Sequence, residues 1–133
     1  MRTIHRLAGG MGIALLSGCG SSGAAPAQRA DEFYAAVAHN DAAAACASLA
    51  SSARSTLEQE EKKPCRDTIL EQDLPRVSGA ASGTAKVYGS LAQVTFANES
   101  VFLSRYSNGW RVTAAGCTPS PQDRPYECTI TAD

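Results

Sequence analysis

Apolar positions along the chain change their spacing twice, and these changes divide it into three parts. The first part is a mostly apolar run over residues 7–16, preceded by Arg2 and Arg6 and followed by small residues. About ten residues fall well short of the ~20 that a mature membrane-spanning helix needs. A basic start, a short apolar stretch and small residues at its end describe a secretory signal instead. Residues 20–28 are small and uncharged with one proline, a composition that cannot bury enough apolar surface to order itself, so they are expected to form a spacer.

From Arg29 the spacing becomes helical. Phe33, Tyr34 and Val37 fall on one face, and Asp31 and Glu32 are expected in the first turn, where they complement the helix dipole. Asn40-Asp41 interrupts, with Asp41 suited to cap the next helix. That helix, from residue 42 to about 49, places Ala42, Ala45, Cys46 and Leu49 along a narrow apolar face. Ser51-Ser52 offers a further cap ahead of a polar helix that runs through Leu57 to about residue 60. Lys62-Lys63-Pro64 stops it, and a short helical piece from Cys65 carries Ile69 and Leu70 inward, ending near Leu74-Pro75.

After a Gly/Ser/Ala loop at 78–83 the period becomes two. Strands are expected at 84–89, 91–97, 101–107, 109–115 and 126–131. Asn108-Gly109 favours the type I′ turn of a two-residue hairpin. That turn would set Ser107 opposite Trp110, Arg105 opposite Val112 and Leu103 opposite Ala114, with Tyr106 and Arg111 paired on the outer face. The whole therefore reads as an α+β chain: N-terminal helices packed on a curved, twisted antiparallel sheet of about four to five strands.

The stretch Leu16-Ser17-Gly18-Cys19 sharpens the reading of the N-terminus. A cysteine directly after Leu-Ser-Gly is a bacterial lipoprotein cleavage box, in which the thiol takes diacylglycerol and becomes the first mature residue. The expected organisation is a signal peptide at 1–18, a lipidated Cys19 with a flexible tether to residue 28, and one domain at 29–133. Two acyl chains suffice for stable anchoring, which places the protein outside the cell, on the outer face of the membrane. The full chain has 12 basic and 13 acidic residues. Arg2 and Arg6 leave with the signal, so the mature chain carries 10 against 13, a formal charge of −3. No basic face or run is present to bind nucleic acid or anionic lipid.

Five cysteines fit this compartment. With Cys19 assigned to lipid, Cys46, Cys65, Cys117 and Cys128 remain, an even set in an exported domain. Three connectivities are open, and order along the chain favours Cys46–Cys65 with Cys117–Cys128. A zinc site is the competing use, but there is no Cys-x-x-Cys and His39 is the only histidine after cleavage. No cofactor or metal is expected.

Helices first, the Asn40-Asp41 break, and hairpins ending in Asn108-Gly109-Trp110-Arg111-Val112 resemble the nuclear-transport-factor-two-like superfamily. More narrowly, the chain resembles small actinobacterial lipoproteins that carry such a domain behind a lipobox. The resemblance implies a helix-lined cone over a curved sheet, in a superfamily that hosts enzymes, ligand carriers and adaptors alike. Its enzymes place an acid–base residue, often Asp or His, inside the cone; Asp31 and His39 lie on the corresponding helix, but no motif transfers a role to either.

The residues themselves favour plainer assignments. His39 suits a helix C-terminus. Asp31 and Glu32, as neighbours on a helix, point in different directions. Phe33, Tyr34, Val37, Phe96 and Trp110 could line a pocket inside the cone, but a domain this small needs its aromatics as core. The run Glu58, Glu60, Glu61, Lys62, Lys63 reads as a solvated face, and Asn98-Glu99-Ser100 as a sequon without meaning in a bacterium. No Gly-x-Ser-x-Gly and no phosphate loop is present. Two function classes follow. The first is a membrane-anchored, non-enzymatic binding or accessory module with an envelope protein as partner. The alternative is a small-molecule binder, or a lyase- or isomerase-like domain, that uses the cone interior.

Overall fold

In the computed structural model, which describes residues 23–75, 84–97, 99–120 and 126–132, four helices precede a four-stranded antiparallel sheet. The signal segment, Cys19, the first spacer residues, the loop at 78–83, Asn98 and residues 121–125 lie outside this description. Among the described residues, no helix is long and apolar enough to cross a membrane. The α+β class matches the expectation from the hydrophobic pattern.

The first helix, α1, spans Ala24–Ala38 and begins five residues before Arg29, so residues 24–28 of the expected spacer are helical. Pro26 in the first turn explains part of this. Proline there forfeits no intrahelical bond, its φ is already helical, and its ring is buried. The early start moves Asp31 and Glu32 out of the first turn, which contains no acidic residue.

Helix α1 ends on Asn40 in the left-handed region (φ 56°). The Asp41 N–H donates to Ala36 O at 2.8 Å and the Asn40 N–H to Val37 O at 3.2 Å, the two bonds of a Schellman motif. Asp41 then caps α2 (Ala42–Ser48), its Oδ1 accepting the Ala44 N–H at 3.1 Å. One residue thus closes one helix and opens the next. Helix α3 spans Ser51–Glu61; its cap position is Ala50, and Ser51 is its first helical residue rather than a capping side chain. Lys62, left-handed at φ 55°, ends it. Helix α4 (Cys65–Thr68) continues into a 3₁₀ turn, Ile69–Glu71. Glu58 is no mere part of a solvated run. Its Oε2 accepts the Cys65 N–H at 3.1 Å, so α3 supplies a cap for α4.

The sheet has the order β1 (Thr84–Tyr88), β2 (Leu91–Thr95), β3 (Ser100–Tyr106), β4 (Gly109–Cys117). Its inner face, with Ala92, Val94, Val101, Leu103, Val112 and Ala115, is buried against α1. The β3–β4 turn differs from the expected one. Tyr106 faces Gly109, Arg105 faces Trp110 and Leu103 faces Val112, so the turn moves by one residue to Ser107-Asn108 and each cross-strand partner moves by two. Asn108 does not take positive φ, which a type I′ turn requires of both central residues, while Gly109 does at 102°. Glycine here supplies the positive φ at the first residue after the turn.

Further along β4 the pairing slips twice, Phe102 facing Ala114 and Ser100 facing Cys117, with Gly116 at φ 64°. Such bulges bend the strand and curve the sheet. They also explain why residues 126–131 do not form a fifth strand. This segment pairs with β4 and the residue after it at two isolated bridges, Ala115 with Ile130 and Thr118 with Glu127, with one further bond from the Thr129 N–H to Gly116 O.

Two disulfides fix the assembly. Cys46–Cys65 joins α2 to α4, with Cα atoms 6.1 Å apart, and Cys117–Cys128 joins the end of β4 to the C-terminal segment. These are the pairs that chain order favours.

Candidate functional site

The two antiparallel turns around Asp41 lay α2 beside α1, and the small side chains between them leave an open groove of about 470 Å³. Ala35, Ala36, Ala44, Ala47 and Ser48 form its floor, and Arg29, Glu32, His39 and Asp41 its rim. The charges are largely spent within the domain. Arg29 Nη1 pairs with Glu32 Oε2 at 2.8 Å, and Arg29 Nε donates to Trp110 O at 2.9 Å. Asp41 is occupied by its cap. His39 is exposed at the end of α1, and its N–H completes the helix by donating to Ala35 O at 2.9 Å. The structure therefore brings Glu32 and His39 to one groove but leaves Asp31 outside it, as expected for adjacent residues on a helix.

The aromatic set occupies the interior. Phe33, Tyr34, Val37 and Phe96 are buried in the core. Tyr34 packs edge-on against Phe33 and against Phe96, with ring centroids 5.1 Å apart in both pairs. A pocket between the helices and the sheet would need these rings to stand apart. Trp110 is half-buried, stacks under Arg105 at 5.8 Å, and lines a separate 220 Å³ cleft with Ala25, Gln28 and Arg29 on the outside of α1.

A residue passed over in the sequence lies at the opposite end of the sheet. Glu99, just before β3, is only 5 % exposed, and among the described residues neither carboxylate oxygen has a hydrogen-bond partner. The Tyr34 hydroxyl is its polar neighbour, close enough to interact with its charge yet at no good hydrogen-bonding geometry to either oxygen. That hydroxyl instead accepts the Gly116 N–H at 3.2 Å. Burial pushes the Glu99 carboxyl above its ordinary range, and Tyr34 offsets part of the rise. Burial likewise raises the Tyr34 hydroxyl; the Gly116 amide works against this and the Glu99 charge adds to it.

Glu99 forms part of the wall of a 340 Å³ cavity shared with Asp73, Gly116, Thr118, Glu127 and Thr129. Chemically, the arrangement is suited to holding a proton on a buried carboxyl. The period of two does mark this position, because residues 99, 101 and 103 share the inward parity of β3. Reading Asn98-Glu99-Ser100 as a sequon hid it.

Among the described residues, no group of three or more His, Cys, Asp or Glu side chains is arranged to hold a metal ion. Comparison of the chain with family models, with curated proteins and with solved structures returns no match.

Proposed function

We propose that the chain is a lipid-anchored module of the bacterial envelope, exported and held at Cys19 on the outer face of the cell membrane, which acts by binding a protein partner. The observation that carries this reading is the pair of disulfides. Such bonds persist in oxidising compartments, and with them in place Cys19 is the one cysteine left over for acylation. The filled aromatic interior directs binding to the outside of the domain, where the α1–α2 groove offers an apolar floor within a charged rim. Helices laid over a curved antiparallel sheet also support the nuclear-transport-factor-two-like kinship of the domain.

The test has two parts. In a bacterial host fed an alkyne-bearing palmitate, the full chain is expected to take the label and partition into detergent, and Cys19→Ala to do neither. An unlabelled parent chain, or a labelled variant, removes the anchor. A photo-crosslinking residue in place of Ala47 is then expected to join the anchored protein to one envelope protein of defined mass. Crosslinks to lipid alone remove the partner.

A further inference from the structure

An ionised carboxylate needs hydrogen-bond donors, and among the described residues none meets either Glu99 oxygen at good geometry, the nearby Tyr34 hydroxyl only partly offsetting the cost of its charge. The Glu99 backbone O accepts the Phe96 N–H at 2.8 Å, and the residues around it in the chain and on α1 belong to the core. Tyr34 on α1, Phe96 after β2 and Val101 in β3 are all at most 6 % exposed. Glu99 also lines a cavity to whose wall the C-terminal segment contributes Glu127, Cys128 and Thr129.

This segment is held at its ends by side chains, Ile130 buried in the core and Tyr126 accepting from Gln93 Nε2 at 3.1 Å with its ring edge-on to Phe102, and between them by few backbone bonds. Its backbone bonds to β4 and the residue after it are the Thr118–Glu127 pair at 2.8 and 3.1 Å, the Ala115–Ile130 pair at 3.0 Å each, and the Thr129 N–H to Gly116 O at 3.3 Å. The Cys117–Cys128 bond keeps it tethered if those are lost. The titratable groups that face the site are Tyr34 from α1, Asp73 from the stretch after the 3₁₀ turn, and Glu127 from the segment itself. Among the described residues lining the cavity none is basic.

We propose that the proton on Glu99 is a latch for the C-terminal segment: while the carboxyl is neutral the segment stays closed on β4, and its ionisation opens the segment to admit water. The closed state binds the proton more tightly than the open state, in which Glu99 is solvated and ordinary. Opening therefore releases a proton, and the closed state loses stability as pH rises above the ordinary glutamate range of about 4.3, until Glu99 has ionised in the closed state too. Below that range both states are protonated and pH has no leverage through this group. Gly116 transmits the change, since its N–H is held by Tyr34 and its O by Thr129.

Amide hydrogen exchange of the full chain, corrected for intrinsic exchange rates, tests this directly. Above pH about 4.3, opening at the Glu127, Thr129 and Ile130 amides is expected to increase by up to about tenfold per pH unit and then level off. Glu99→Gln, a neutral side chain of the same shape, is expected to make the protection of those amides independent of pH. Protection that is flat in the parent chain, or that has the same slope in the variant, overturns the latch. The carboxyl ¹³C shift of Glu99 in the unaltered chain gives a check that needs no variant. Its midpoint is expected above the ordinary range and within the interval where protection is lost, and an ordinary or lower midpoint overturns the proposal.

Discussion

Gly116 shows how much can depend on one residue without a side chain. Its φ of 64° is left-handed, and a Cβ there would lie 2.7 Å from Thr129 Oγ1, 3.0 Å from Thr129 Cβ and 3.2 Å from Leu74 Cδ2. Backbone strain and crowding act together, so Gly116→Ala is expected to destabilise the domain by about 2–3 kcal/mol. Gly89 provides the comparison. It has a similar φ of 62° but nothing within 4 Å of its would-be Cβ, so Gly89→Ala carries the strain alone, about 1 kcal/mol. Urea denaturation of the two variants checks the difference, and equal losses would place the whole effect in the backbone. Local chemistry is legible in sequence when its cause is local. Asp41 announces itself as a cap because an N-cap acts on an amide three residues away. Tyr34 gives no such notice, because its hydroxyl meets Gly116 across 82 positions of chain.

At the scale of elements, the β3–β4 hairpin separates what pattern fixes from what it leaves open. Alternation located both strands and the inward residues Val101, Leu103 and Val112. The turn type was not determined by it, since Asn-Gly is compatible with glycine either inside the turn or just after it. The observed geometry makes a prediction that the type I′ reading does not. Asn108 has no positive φ to maintain, so Asn108→Ala should change stability by less than about 0.5 kcal/mol. Gly109→Ala, at φ 102°, should lose about 1 kcal/mol or more. Thermal melting of the pair decides, and a marked loss at Asn108 would restore the I′ turn. Helix α1 illustrates a different limit. Composition points to a spacer at residues 24–28 because they are small and uncharged and bury little apolar surface, yet they continue a helix whose packing is supplied by the rest of the domain.

Across the whole molecule, the two disulfides have different duties. Cys46–Cys65 closes a loop with a sequence separation of 19 and joins two helices within the core. Replacing both cysteines by alanine is expected to lower global stability by about 3 kcal/mol on the loop-entropy model. Cys117–Cys128 spans 11 positions and tethers a segment that pairs with the end of β4 at isolated bridges rather than as a strand. Its removal is expected to speed amide exchange over residues 126–132 well before it affects the β2–β3 ladder, which exchange mass spectrometry resolves by segment. Uniform acceleration over the sheet would contradict this division. Cysteine parity and order pointed to both bonds, whereas the strand order and the bulges that curve β4 depend on distant contacts that no local pattern encodes.

The early start of α1 also bears on where a lipidated form of the domain can go. Only four positions separate Cys19 from Gly23, where the described chain begins, and even fully extended they reach about 14 Å. That is a leash about as long as the radius of gyration of a domain this size. A protein held so short cannot sweep the periphery of the cell: its working volume is a thin layer against the bilayer, open to neighbours that share the same surface and closed to those that stand far from it.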